Sequence, residues 1–324
     1  MAVADPEQGE TLAAQRPGSL SWGDPLFMRG TQLFAMVVVL VVVLALGTTL
    51  VGAWPALHRF GPRFLINSTW DPVAGEFGAL PFVWGTFYSS LLALLLAVPI
   101  GLGCAVFLAE LSPPWLSGPV SFLVELLAAI PSVVYGLWGV LVMVPWLRDH
   151  VETPLSTSPL GSSPFFSGAP YGVSMMAAGV ILAVMILPII TAVTRDVLRA
   201  VPPDQREASF GLGSTRWETI WRAVLPFGRA GILGGVVLAL GRALGETMAV
   251  TMVIGNRPES SLSLLNPGYT MASVLANEFS EATLHLHVAA LQEITLVLFL
   301  MTFVVNGLAR GLVWRVTKNA GGAR

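Results

Sequence analysis

Charge is scarce in this chain. Asp, Glu, Lys and Arg make up 11% of 324 residues, against about 25% in an ordinary soluble domain. That deficit, with 54% hydrophobic residues and a mean hydropathy of +0.74, excludes a soluble globular class and places the chain in a membrane. Cysteine is nearly absent. Cys104 stands alone in an apolar stretch, so no internal disulfide can form and the residue reads as a small apolar filler. The four histidines, His58, His150, His285 and His287, fall in polar connecting stretches, and His285 with His287 alone makes no metal site. The sequence lacks a G-x-x-x-x-G-K-[ST] phosphate loop, which excludes its own ATPase centre. It also lacks an HExxH motif, a membrane-protease Ser/His pair and paired aspartates in apposed helices. Intramembrane acid–base catalysis is therefore disfavoured. With a net charge of −2, the sum of charges points to no partner, and none of its features suggests nucleic acid.

Long apolar runs are what the chain has in quantity. Six stretches, near 33–54, 86–109, 121–146, 172–194, 230–254 and 288–309, are long enough to cross about 30 Å of hydrocarbon. The expected fold is therefore all-α, a polytopic protein with six transmembrane helices. The first run carries no charge and follows a polar stretch, MAVADPEQGETLAAQRPGS. It reads as a permanent anchor rather than a cleaved signal, with residues 1–30 as a disordered tail, 31–317 as the membrane domain and 318–324 as a second short tail. With the N-terminus in the cytoplasm, twelve arginines and lysines lie inside and four outside: Arg59, Arg63, Arg148 and Arg257. The opposite orientation reverses the bias, so both termini are expected in the cytoplasm of a multi-pass inner-membrane protein. Pro99, Pro131 and Pro188 interrupt the apolar runs, and each removes a backbone hydrogen bond at a point where its helix can kink.

The fifth run contains LALGRALGETMAV, residues 238–250. Read as one helix, it places Arg242 roughly 18 Å deep, with Glu246 one turn outward on the same face. Charges at that depth cost about 2.5–3.5 kcal/mol on insertion scales, so they must face a bundle interior, a partner or water. Two readings stand: an internal salt bridge that fixes packing, or an anion path. The path is the expectation, because the planar guanidinium fork suits phosphate-like oxygens and a rival carboxylate would keep affinity low enough for release. Glu125, Ser132, Tyr135 and Thr247 complete the candidate path, with Glu125 expected to pair with a cytoplasmic arginine or with Arg242. Gln292 and Glu293 read as structural, and Glu110 as the cytoplasmic end of the second helix. Gly231 with Gly235, and Gly241 with Gly245, are small-residue pairs that permit close helix packing.

Residues 195–229, RDVLRAVPPDQREASFGLGSTRWETIWRAVLPFGR, hold six arginines. Pro202 and Pro203 break the preceding helix, and Asp204 and Ser214 are candidate caps for two short helices. Phe210, Trp217, Ile220 and Trp221 read as apolar contacts. Arg216 and Trp217 suit docking of a cytosolic protein, although arginines held on anionic lipid are the plain alternative.

EASFGLG followed by AVLP resembles the cytoplasmic signature of ABC importer permeases. Glu207, Ala208, Gly213, Leu225 and Pro226 match it in register, with Ser209 and Ala223 standing where the family has Ala and Ile. Further stretches are similar to the PstC-type permeases of phosphate ABC importers: LLAAIPSVVYGLWG, LPIITAVTRDVLRAVP, REASFGLGSTRWETI, GRALGETMAVTMVIGN and ALQEITLVLF. The resemblance covers about 30–317. It implies a type I importer permease fold and a phosphate path through Arg242 and Glu246. The implied partners are a second, PstA-like permease, two PstB-like ATPase subunits that carry ATP and Mg, and an extracytoplasmic phosphate-binding protein. No cofactor is expected on this chain. Another oxyanion, such as sulfate or molybdate, is the nearest rival substrate; a membrane-embedded enzyme or a lone channel is more remote.

Overall fold

The computed structural model describes residues 23–321, and the polar stretch before Gly23 lies outside them. Two units are distinguished, one ending at Thr48 and the other starting at Thr49. Helix α1 spans Gly23–Phe60, beginning ten residues earlier than the apolar run predicts. Within the first unit its side chains from Phe27 onward are exposed, with only Gly30 partly covered. From Thr31 to Thr48 this surface is exposed and carries no charge, as a surface covered by lipid or another protein does.

The second unit contains nine further helices of interest: α2, Leu80–Leu111; α3, Pro114–Ala129; α4, Ser132–Thr157; α5, Met175–Arg199; α6, Pro203–Gly211; α7, Arg216–Leu244; α8, Met248–Val253; α9, Met271–Glu278; and α10, His285–Gly321. Among the described residues there is no strand, only isolated bridges at Asp71 with Glu76 and Gly255 with Gly268. Among the described residues five helices are long and apolar enough to cross a membrane, and the bent pair α3 with α4 makes six where it is counted as one span.

Helix α5 is the axis of the bundle. It buries 61% of its apolar window, against 33% for α2. Met175, Ala178, Ile181, Leu182, Ile186 and Ile190 form the centre of the main core. Helix α2 presents Ala93 and Ala97 to it, and Ser174 caps its start by accepting the Ala177 N–H at 3.1 Å. From α7, Gly231 and Gly235 meet Val197 and Val193 of α5, as the small-residue spacing predicts. The prolines behave differently from one another. Pro99 and Pro188 sit inside continuous helices, whereas at Pro131 the chain turns by 92° between α3 and α4. Ile130 and Pro131 are both extended (ψ 130° and 140°), consistent with the residue before proline avoiding helical geometry. The third predicted span is thus not one helix.

The connection between α8 and α9 folds as a cap on the start of α2. Trp84 Nε1 donates to the Ser261 carbonyl and Tyr88 Oη to the Leu262 carbonyl, both at 2.8 Å. The Met271 N–H donates to Thr86 Oγ1 at 2.9 Å. Glu152, fully buried at the far end of α4, accepts from the Gly172 N–H (2.8 Å) and Ser174 Oγ (2.6 Å) and so ties α4 to the start of α5. His285 and His287 open α10 rather than lying in a connection. His287 is buried, lies parallel to Phe77 and meets Glu278 Oε2 at 3.0 Å. Gln292 packs against Gly52, and Glu293 is buried in α10.

Candidate functional site

The fifth run is interrupted at the place where a continuous helix was expected. Helix α7 starts at Arg216 in the arginine-rich loop and ends at Leu244; Gly245 caps it, and α8 starts at Met248. Glycine is favoured where a helix ends. Glu246 then supplies the start of the next: its Oε1 accepts the Ala249 N–H at 3.3 Å, an acid at a helix N-terminus. The predicted one-turn register between Arg242 and Glu246 is therefore corrected. Among the described residues no ion pair joins them. Thr247 is also spent locally, its Oγ1 donating to the Gly245 carbonyl and its own carbonyl accepting from Thr251 Oγ1.

Arg242 occupies the last turn of α7 and is exposed on this chain. Tyr135 is buried just past the 92° turn and donates to the Leu127 carbonyl at 2.8 Å, which closes the corner between α3 and α4. Helix α4 lies directly on α8: a side chain on Gly136 would meet Ala249 Cα at 3.1 Å and Met252 Sδ at 2.6 Å. Two helix breaks, at Pro131 and at Gly245, are thereby brought together, with Arg242 and Tyr135 beside them. Backbone that leaves helical geometry at membrane depth is tolerated where protein or a watery cavity satisfies it. Half-buried Ser132 stands at the same corner.

Glu125 does not join Arg242. It pairs with Arg195 Nη2 at 2.9 Å, and Arg195 also holds Asp196 at 2.8 Å. Arg195 is 6% exposed, so this cluster fixes α3 to α5. The cytoplasmic-arginine alternative is the one observed.

The arginine-rich loop is folded as two short helical pieces. Thr215, not Ser214, caps the second in a reciprocal box with Glu218. The first starts at Pro203 without a side-chain cap, and Asp204 sits in its first turn. Pro226 neither stops nor redirects the chain. A wide turn at Ile220–Val224 precedes it, and the helix runs on. Gly213 adopts φ +85° between the two pieces. Glu207, Ala208, Gly213, Arg216 and Trp217 are exposed, as is Pro226, while Leu225 is half-buried. Ile220 turns inward among Val106, Leu198, Val201 and Val224. Phe210, Trp217 and Trp221 stay outside, the two tryptophans edge to face at 5.7 Å.

One anchor of this loop was not legible beforehand. Arg206 Nη2 reaches Glu110 Oε1 (2.6 Å) and the Leu198 carbonyl (2.8 Å), and Nη1 reaches the Val201 carbonyl. A single guanidinium thus ties α6 to the ends of α2 and α5. Its only sequence signal was an arginine close behind two prolines. Arg206→Ala leaves Glu110, 12% exposed at its side chain, without its cation. A cost of about 2–4 kcal/mol is expected, visible as a lower unfolding temperature of the purified protein, with Arg206→Lys recovering only part because it lacks the fork.

The description "Binding-protein-dependent transport system inner membrane component" matches residues 97–318. Among curated relatives, the phosphate transport system permease protein PstC of Pasteurella multocida is 45% identical over 91% of this chain and 93% of its own length. That of Haemophilus influenzae is 43% identical over 93% and 96%, and PstC 2 of Mycobacterium tuberculosis 38% over 96% and 98%. In solved structures, a chain of the MetNI methionine ABC transporter shares the fold, with a TM-score of 0.54 at 17% identity over 76% of this chain and 99% of that one. The architecture is thus the type I ABC importer permease fold, and the chain belongs to the family of binding-protein-dependent transport system inner membrane components.

Proposed function

We propose that this chain is a transmembrane permease subunit of an ATP-driven phosphate importer and that phosphate passes Arg242. The observation that carries the substrate is the 43–45% identity, over more than nine-tenths of the chain, to relatives named as phosphate transport system permeases. The location of the path rests on Arg242: a permanent cation, exposed on the isolated subunit and set beside two helix breaks. Left against hydrocarbon it would be strongly unfavourable, so a second permease or a solvated route must cover it. Tyr135, Ser132, Glu246 and Thr247 stand around it as the neutral and acidic groups of the path. Glu125, committed to Arg195, serves the frame.

The chain is a transport subunit without chemistry of its own. ATP and Mg belong to two cytosolic PstB-like ATPase subunits, which dock on the exposed surface of residues 203–217, with Trp217 and Arg216 as anchors. A PstA-like permease completes the path, and an extracytoplasmic phosphate-binding protein delivers the anion to the folded outer cap. Both termini lie in the cytoplasm of the inner membrane, following the arginine count. Each nucleotide state favours one conformation of the pair through different contacts at this loop.

Reconstituted with these partners in vesicles, the complex is expected to accumulate labelled phosphate only with ATP, and excess unlabelled sulfate is expected to leave uptake unchanged. Inhibition by sulfate equal to that by unlabelled phosphate would move the assignment to another oxyanion.

A further inference from the structure

The first membrane helix ends in an open cavity of about 460 Å³ that the transport path does not use. Arg59, Arg63 and Asn67 line it, together with the rings of Phe60, Phe64 and Phe77. Gly61 turns the chain at φ +55° into a short, tighter helix, Gly61–Leu65. Both guanidiniums consequently reach one cavity from the two sides of the bend. Its aromatic wall is firm. Phe64 and Phe77 are buried, and Phe60 packs on them with ring centres 6.2 and 6.0 Å away. Asn67 pins the neighbouring loop: its Nδ2 donates to the Phe77 carbonyl at 3.4 Å and its Oδ1 accepts the Thr69 N–H at 3.2 Å.

Among the described residues neither arginine has a carboxylate partner, and no acid lines the cavity. Asp71, the nearest acid in sequence, is engaged by the Val73 and Ala74 amides. Arg59 lies over the Phe60 ring, 5.7 Å from its centre, Arg63 lines the same cavity, and guanidiniums match the oxygens of a phosphate. We propose that this cavity binds a phosphate group, carried either by an anionic phospholipid headgroup or by free inorganic phosphate. The surroundings favour the lipid. Ile66, which lines the cavity, is 72% exposed, an apolar rim next to cations at the end of a membrane span. Residues of this kind gather at the level of headgroups.

The test uses the full chain, with its co-purifying subunits, in nanodiscs of phosphatidylcholine containing a minor fraction of phosphatidylglycerol. Lipid retained after delipidating washes is counted by native mass spectrometry. Phosphatidylglycerol is expected to be retained over phosphatidylcholine, with retention about tenfold lower in R59A/R63A and intermediate in R59K/R63K, which keeps charge but loses the forks. A parallel arm adds millimolar inorganic phosphate. Persistence of the lipid supports the headgroup, whereas its displacement, with labelled phosphate bound in an arginine-dependent way, supports the free anion. Both arginines are exposed, so the alanine variant is expected to unfold at the wild-type temperature. Equal retention of the two lipids with no labelled phosphate bound, or no change in R59A/R63A in either arm, would overturn the proposal.

Discussion

Arg242→Ala is expected to lower phosphate uptake by about 10- to 100-fold, the loss of one charge-assisted pair to a passing oxyanion. Because the side chain is exposed and holds no ion pair within the described chain, the substitution should leave folding and subunit assembly intact. The deficit therefore belongs to transport rather than to stability, and unfolding temperature and complex yield, measured beside uptake, separate the two. Arg242→Lys should fall between, since an ammonium attracts the anion but cannot hold two of its oxygens in one plane. Glu246→Gln is the informative companion. Were Glu246 only the rival carboxylate of Arg242, its loss would slow release. Placed as the acceptor for the Ala249 amide, it can be replaced by an uncharged acceptor at a cost of about 0.3–1 kcal/mol in helix-start electrostatics. Uptake by Arg242→Ala equal to wild type would remove the path from this residue.

The second large effect is expected at Gly213. A Cβ built there meets nothing within 4 Å, so space is not the constraint; φ of +85° is. A β-branched side chain is a strong outlier at positive φ, while Asn tolerates that region. Gly213→Val should cost about 1–3 kcal/mol in local strain and swing the α6 piece away from Arg216 and Trp217. Phosphate-stimulated ATP turnover by the assembled complex is expected to disappear, with basal turnover of the ATPase subunits retained. Gly213→Asn should couple nearly normally. A Val variant that couples like the wild type would show that the geometry of this loop does not carry the signal.

How far the sequence could be read varies along the chain. Apolar length located the second, fourth and sixth crossings well: Leu80–Leu111 and His285–Arg315 cover the runs expected for them, and Met175–Arg199 starts three residues inside its own. Pro131 was visible as a place to bend, but a right-angle turn closed by Tyr135 depends on a contact eight residues away. The fifth crossing was misplaced for a physical reason. Averaged hydropathy cannot see Gly-Glu-Thr as a stop followed by a start, since the residues on both sides are equally apolar. Nor can it see that a proline allows a helix from the loop to run straight through Pro226. The two short helical pieces of residues 203–219 were legible because their signals are local: the proline pair before Asp204 and the glycine at 213. The roles of Arg195 and Arg206 were not, because each is defined by partners between 70 and 96 positions away, Glu125 and Glu110.

That misplaced boundary has a mechanical corollary. From Arg216 to Leu244 the backbone is one helix of 29 residues, a strut of roughly 43 Å. Trp217 sits at one tip and Arg242 at the other, and the strut ends where α8 begins. A rotation of about 5° imposed at the Trp217 tip, roughly 38 Å away, sweeps the position of Arg242 through an arc of about 3 Å, the length of a hydrogen bond. Helix α8, seated on α4, need not follow.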